Sequence, residues 1–204
     1  MTPCAVIVMA KAPQAGLAKT RLIPALGAEG AAALAAWLLD RILTQALATG
    51  LGPVYLCATP DPALPCWASW THRAGLNVSP QADGDLGQRM HAALYSALLQ
   101  QPAALLVGSD IPALDAHYLQ QAAQALDTHD AVFGPTADGG YALVGLKRPQ
   151  PMLFAGMRWS HPQVMADTRQ RLAAGALRHA ELPLLHDIDE PADLVHLPLD
   201  EGRP

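Results

Sequence analysis

The residues of this chain that can do chemistry gather in a few short stretches where cations, carboxylates and glycines sit together. In Met9-Ala-Lys-Ala-Pro-Gln-Ala-Gly-Leu-Ala-Lys-Thr-Arg-Leu22, the cations Lys11, Lys19 and Arg21 fall within eleven positions of a loop that also holds Gly16. Backbone N–H groups and cationic side chains in such a loop can together wrap a polyphosphate. The stretch is not the G-x-x-x-x-G-K-[ST] phosphate loop, and a solvated basic loop is the plain alternative. Concentration favours function, because this one loop carries three of the thirteen Lys and Arg in a chain of net charge −5.

A second stretch, Leu106-Val-Gly-Ser-Asp-Ile-Pro112, places Asp110 just past a run of apolar residues. A carboxylate at the end of a buried strand is costly unless it faces a cleft or a cation, so Asp110 reads as a metal ligand. Mg²⁺ suits it, since that ion uses one or two carboxylates plus phosphate oxygens and waters, and Mn²⁺ is the substitute. The competing role, a helix N-cap, is better filled by Asp115. In His186-Asp-Ile-Asp-Glu-Pro-Ala-Asp193, Asp187 and Asp189 alternate, so an extended chain turns both to one face as further candidate metal ligands beside Asp110. Asp189 is also a candidate N-cap for a helix opening at Pro191, and cap and metal ligand do not exclude each other.

Two further stretches carry glycines. Asp138-Gly139-Gly140 reads as a tight hairpin turn whose extra glycine permits close approach by a substrate. Gln81-Ala-Asp-Gly-Asp-Leu-Gly-Gln-Arg-Met90 puts Gly84 and Gly87 at a strand-to-helix junction, with Arg89 available to a phosphate or base. Helix capping by Asp83 or Asp85 is the equal alternative there. The eight histidines show no H-x-x-x-H or HExxH spacing and read mostly as surface residues. Ser109 lacks the G-x-S-x-G context of a serine hydrolase. Trp37, Trp67 and Trp70 read as core, whereas Trp159, in Met157-Arg-Trp-Ser-His161, is the one placed near a site.

The elements that must position these residues alternate. Strands are expected at Ala5–Met9, Pro53–Ala58, Leu76–Ser79, Ala104–Val107, Ala131–Phe133, Tyr141–Leu146 and Glu181–Leu184. Helices are expected at Ala28–Ala48, Pro65–Arg73, Leu86–Leu99, Asp115–Leu126 and Pro162–Ala174, with a short one after Pro191. Alternation of this kind predicts an α/β architecture, and ligands in open α/β sheets bind just outside the carboxyl ends of the strands, where the glycine and acidic stretches fall. With 204 residues and no repeat or linker, the chain reads as one domain over 1–204, its last stretch Leu199–Pro204 expected to fray.

Composition excludes several classes. A net charge of −5 with 15% charged residues argues against a nucleic-acid partner. The uninterrupted apolar stretches, Ala31–Leu39 among the longest, are half of the roughly 18 residues that cross a bilayer, so no membrane partner is expected. No basic region precedes the first apolar run, so no signal peptide is read and a cytoplasmic protein is expected. Cys4, Cys57 and Cys66 lack the spacing of a disulfide framework or zinc site.

Taken together, Met9-Ala-Lys-Ala-Pro-x-x-Gly-x-x-Lys-Thr-Arg-Leu-x-Pro-x-Leu-Gly27, Gly84-Asp-Leu-Gly-x-Arg-Met90, Gly108-Ser-Asp-x-Pro112, Phe133-Gly-Pro-x-x-Asp-Gly-Gly-Tyr-x-Leu-x-Gly145 and Asp187-Ile-Asp-x-Pro-x-Asp-Leu194 closely resemble the bacterial DUF2064 family. That family is labelled glycosyltransferase-A-like, with some members called arsenosugar-biosynthesis glycosyltransferases. More distantly, the first loop is similar to that of 2-phospholactate and molybdenum-cofactor guanylyltransferases. The resemblance implies a three-layer α/β/α, mostly parallel, nucleotide-diphospho-sugar-transferase fold, with the nucleotide over the loop after the first strand. It implies nucleotide binding by Ala10, Lys11, Gly16, Lys19 and Arg21, a metal held by Asp110 and Asp189, and a family-specific substrate role for Asp138, Gly139 and Gly140. Glycosyltransferases of this fold usually carry Asp-x-Asp at the metal strand, whereas Gly108-Ser109-Asp110 offers one carboxylate.

The function expected first is therefore Mg²⁺-dependent nucleotidyl transfer from a nucleoside triphosphate to a small phosphorylated or hydroxylated acceptor, with Lys19, Asp110 and Asp189 carrying catalysis. Glycosyl transfer from a nucleotide sugar is the rival, and a non-catalytic nucleotide-binding regulator the third reading. Either a monomer or a homodimer is compatible with the sequence.

Overall fold

The computed structural model describes residues 2–198, so the expectation of fraying at Leu199–Pro204 lies outside the described residues. Seven strands, β1 (Cys4–Lys11), β2 (Val54–Thr59), β3 (Leu76–Pro80), β4 (Ala103–Val107), β5 (Ala131–Pro135), β6 (Tyr141–Leu146) and β7 (His179–Glu181), join in the order β3-β2-β1-β4-β6-β5-β7. Only β6 runs against its neighbours, β4 and β5; β1 pairs in parallel with both β2 and β4. The antiparallel strand follows from its connection. The turn 136–140 is too short for the crossover a parallel strand needs, so β5 and β6 form a hairpin.

Helices α1 (Ile23–Ala48) and α4 (Ala116–Ala125) cover one face of the sheet, and α3 (Leu86–Leu98) and α5 (Val164–Ala174) the other; α2 is a single turn, Ala68–Thr71. This is the expected three-layer, mostly parallel arrangement. The middle of β1 shows why: Val6 and Val8 enter the cluster under α1 and α4, while Ala5 and Ile7 enter the one under α3 and α5. A strand covered on both sides needs an apolar residue at every position rather than alternation.

Several boundaries differ from expectation for physical reasons. The first long helix begins earlier, at Ile23, and breaks at Gly27, where φ is 72°. The predicted helix Pro65–Arg73 resolves into a 3₁₀ turn, Pro65–Trp67, followed by α2. Trp67 and Trp70 from this region are buried edge to face, whereas Trp37 is only partly buried. The last strand is His179–Glu181, not Glu181–Leu184. Leu182 N still donates to Phe133 O, but Pro183 has no N–H to extend the ladder, and pairing resumes only where Leu185 N meets Pro135 O at 2.9 Å. The short helix after Glu190 is 3₁₀, Pro191–His196.

Counting uninterrupted apolar residues also understated α1. The stretch Thr20–Ala48 contains an 18-residue window of mean hydropathy 1.6, long and apolar enough by composition to cross a bilayer. Leu38, Leu39, Ile42 and Leu43 from this helix are buried within the fold, and a core helix meets the same criterion.

A third cluster ties the site together. Leu22, Ala31, Leu34 and Leu38 pack with Ile188 and Leu197, and Ile188 N donates to Asp110 O at 3.1 Å. The segment holding Asp187 and Asp189 is thereby pinned against the loops after β1 and β4.

Candidate functional site

The carboxyl ends of β1, β4 and β5, with the start of β6, open onto a cleft of about 510 Å³ lined by Lys11, Gln81, Arg89, Asp110, Asp138 and Asp187 among others. A smaller pocket of about 260 Å³, lined by Lys11, Lys19, Arg21, Asp110 and Asp189, adjoins it and shares Lys11, Ser109 and Asp110. The fold thus brings the expected cations and carboxylates to one edge of the sheet.

Lys19 lies at the meeting point of these groups. Its Nζ donates to Asp189 Oδ1 at 2.8 Å and to Asp110 Oδ2 at 3.1 Å, and its side chain is 10% exposed. Burial acts to lower its pKa, but the charges of Asp110 and Asp189 outweigh that and hold it above the ordinary lysine value. Its backbone is left-handed, φ 46° and ψ 46°, a conformation costing a non-glycine residue roughly 1 kcal/mol or more. Lys11 ends β1 exposed beside buried Ala10. Gly16 takes φ 78° in the intervening loop, and Arg21 is exposed, 3.7 Å from Glu190.

Neither aspartate is used up in capping. Asp115 caps α4, accepting from Tyr118 N at 2.8 Å. At the 3₁₀ helix the cap is Glu190, while Asp193 accepts from the backbone N–H groups of Asp189 and Glu190. Asp187 lines the larger cleft. Burial, reinforced by the charge of Asp138 and then by Asp189 and Asp110, pushes its carboxyl up to about 6 against a bond from its own backbone. Among the described residues no three His, Cys, Asp or Glu side chains form a ready metal cluster. The donor set nonetheless fits a divalent ion that uses one or two carboxylates: Asp110 and Asp189 already converge on one cation, the Lys19 ammonium.

The glycine stretches divide into two roles. At the start of α3, Asp85 forms a capping box with Gln88, so that carboxylate is structural. Gly84 has φ 109° and its carbonyl accepts from Arg89 Nε at 2.9 Å, fixing the arginine beside the cleft. Gly87 is buried, and a Cβ there would come within 2.7 Å of Trp159 Nε1, so the glycine lets the indole pack against the helix. Trp159 meets Tyr141 edge to face, and both line the cleft. In the β5–β6 turn, Asp138 Oδ1 accepts from Thr136 Oγ1 at 2.5 Å and from Gly140 N at 3.0 Å. Gly139, at φ 89°, lies where a Cβ would be 2.0 Å from Pro162 O, and Gly140 lines the cleft.

Several lining residues escaped the sequence reading. Gln81 Nε2 donates to Ala10 O and Cys57 O, tying together the ends of β1 and β2; its position at the head of the Gly84 stretch was its only local signal. His161 lines the cleft, with Nδ1 accepting from Gln163 N at 3.2 Å and Nε2 buried without a hydrogen bond. Nothing in its spacing distinguishes it from the surface histidines.

The model of a bacterial family described as an uncharacterized conserved protein, DUF2064, matches residues 42–161. The chain belongs to the DUF2064 family. Among solved structures, this DUF2064 chain is similar to a candidate nucleotide-diphospho-sugar transferase from Desulfovibrio desulfuricans, at 31% identity and TM-score 0.87, over 95% of this chain and 85% of that one. It shares its fold with Rv0371c of Mycobacterium tuberculosis, solved with manganese, at 16% identity and TM-score 0.62 over 96% and 98% of the two chains. It likewise shares it with a 4-diphosphocytidyl-2C-methyl-D-erythritol synthase from Anaerococcus prevotii, at 10% identity and TM-score 0.59 over 96% of each. No curated protein matches this DUF2064 chain. The fold is that of nucleotide-diphospho-sugar transferases and nucleotidyltransferases.

Proposed function

We propose that this protein is a nucleotidyltransferase, moving a nucleoside monophosphate from a nucleoside triphosphate onto a small acceptor with the help of Mg²⁺ or Mn²⁺. The observation that carries this reading is the Lys19 ammonium held between Asp110 and Asp189, where the basic loop's pocket joins the larger cleft. Lys11 and Lys19, with Arg21 at the rim, can spread positive charge along a polyphosphate. Gln81 and Arg89, which line the larger cleft, would face a nucleoside attached to it. A triphosphate donor calls for more cations than a diphosphate sugar, and three on one loop favour it.

Asp110 and Asp189 would hold the metal ion, with Asp187 beside them; when bound, such an ion neutralises phosphate charge and orients the oxygens of the displacement. Manganese in the Rv0371c structure supports a divalent ion in this fold. The chain's own residues do the rest: the loop after β1 binds and neutralises phosphate, and the β5–β6 turn and Trp159 bound the acceptor's space. Catalysis is then mostly positioning and electrostatics, with no covalent nucleophile.

Glycosyl transfer is the second reading, favoured by the description of the Desulfovibrio relative as a nucleotide-diphospho-sugar transferase. Products separate the two. Incubation with Mg²⁺ or Mn²⁺, each nucleoside triphosphate or nucleotide sugar, and a pool of small acceptors is expected to release pyrophosphate. Release of nucleoside diphosphate with loss of the sugar, and no pyrophosphate, would support glycosyl transfer. Donor binding without either product would leave a nucleotide-binding regulator.

A further inference from the structure

The larger cleft is electrostatically divided. Its cations, Lys11 and Arg89, belong to the β1–β2–β3 side: Lys11 ends β1, and Arg89 also lines a neighbouring groove with Tyr55, Cys57 and Ser79 of β2 and β3. The opposite wall, from the β5–β6 turn, residues 159–164 and Asp187, presents Asp138, Asp187, Tyr141, Trp159 and His161 and, among the described residues, no Lys or Arg. A phosphorylated acceptor on that wall would meet two carboxylates and no side-chain cation, a like-charge encounter that binding sites avoid. Paired aromatic rings beside carboxylates instead suit a molecule with apolar C–H surface and hydroxyl donors.

Asp138 is held as a reacting group must be. Both donors it receives, Thr136 Oγ1 and Gly140 N, go to Oδ1, and Oδ2 has no hydrogen-bond partner among the described residues. The turn cannot drift, because Gly139 O accepts from Met165 N at 2.9 Å and Gly139 is pressed against Pro162. A carboxylate fixed through one oxygen on a rigid turn, with the other oxygen unengaged, is preorganised to accept a proton.

We propose that Asp138 is the general base of the reaction, and that the acceptor is an uncharged, hydroxyl-bearing small molecule of the polyol class seated between Asp138, Tyr141 and Trp159. This rests on the nucleotidyl-transfer reading. The acceptor's hydroxyl oxygen attacks the α-phosphorus of the nucleoside triphosphate, and a new P–O bond forms there. The bond from that phosphorus to the oxygen bridging toward the β-phosphorus breaks, and pyrophosphate leaves with its electron pair. The hydroxyl proton passes to the Asp138 carboxylate. Thr136 acts through Asp138 and is a positioning residue.

Matched acceptor pairs, glycerol with glycerol 3-phosphate and glucose with glucose 6-phosphate, offered with each nucleoside triphosphate and Mg²⁺ or Mn²⁺, test this through pyrophosphate release. The unphosphorylated member is expected to have the higher kcat/KM, by about tenfold or more. Asp138→Asn is expected to lower kcat by about 10²–10⁴-fold while calorimetric triphosphate affinity and the Tm stay near wild type; Thr136→Val is expected to lower kcat less. Preference for the phosphorylated member overturns the proposal, as does bound triphosphate with no turnover on either member. So does an Asp138→Asn variant that keeps its kcat, or one that loses donor affinity and folding stability in parallel. Nucleoside diphosphate released from nucleotide sugars by the wild type, with no pyrophosphate from any triphosphate, rejects the nucleotidyl reading itself and the proposed step with it.

Discussion

Lys19 both joins Asp110 to Asp189 and faces the pocket proposed to hold phosphate, and the two roles predict different losses on substitution. Its ion-pair partners are 37% and 45% exposed, so losing these pairs in Lys19→Ala is expected to cost about 1 kcal/mol in urea unfolding, and the left-handed strain stays, because alanine keeps the Cβ that causes it. Triphosphate affinity is expected to fall about tenfold or more by calorimetry; unchanged affinity would remove the loop from the donor site. Asp187 gives the complementary pH test. Its carboxyl is raised from 3.8 to about 6 in the fold, so the folded state binds more protons than the unfolded one between those values. Its contribution to stability therefore falls as pH rises through that window and stays low above it. Asp187→Asn is expected to stabilise the protein by about 1 kcal/mol at pH 8, after allowance for solvent screening, and by less at pH 4; equal effects at both pH values contradict this. The sequence announced which residue types mattered, because a basic loop in an acidic chain and a carboxylate after an apolar run are local signals. It did not announce that Lys19 would pair with Asp110 and Asp189, 91 and 170 positions away, since spacing encodes only near neighbours.

At the level of elements, the legible parts were those with local chemistry behind them. The Asp115 cap was readable from residue type and position, and Asp85 was one of two candidates at the start of α3; both form. The Asp138-Gly139 turn likewise forms a hairpin, with Gly139 N donating to Thr136 O. What failed was set by tertiary pairing. The register of β7 depends on which residues of β5 remain to be paired. The hairpin turn offers the sharpest element-scale prediction. Gly139→Ala puts a Cβ against Pro162 O at a φ of 89°, so it is expected to destabilise the fold by roughly 2 kcal/mol or more. Because the same turn carries Asp138, turnover is expected to drop even at temperatures where the variant remains folded. A variant with wild-type Tm and wild-type turnover contradicts the packing described for this turn.

For the whole molecule, alternating strands and helices predicted an α/β architecture, the family resemblance implied its three layers and the hairpin turn implied that β6 runs against β5, but none of these predicted the order β3-β2-β1-β4-β6-β5-β7. That order is what unites residues scattered from Ala10 to Asp189, because it brings the loops that carry them to one sheet edge around two adjoining pockets. The net charge of −5 is thus less informative than its distribution: Lys11 and Arg89 lie on one side of the larger cleft and Asp138 and Asp187 on the other, while Asp110 and Asp189 are paired with Lys19. Under the proposed function, this division separates a triphosphate donor from the acceptor. The most direct test is to follow a nucleoside triphosphate labelled at its α-phosphorus, with Mg²⁺ or Mn²⁺ and an acceptor, in the wild type and in Asp110→Asn. The wild type is expected to transfer the label to the acceptor with one pyrophosphate released per transfer, and Asp110→Asn, folded but without one of the two carboxylates proposed to hold the metal, to transfer essentially none. Label that never leaves the nucleotide in the wild type, or equal transfer by Asp110→Asn, would contradict the account.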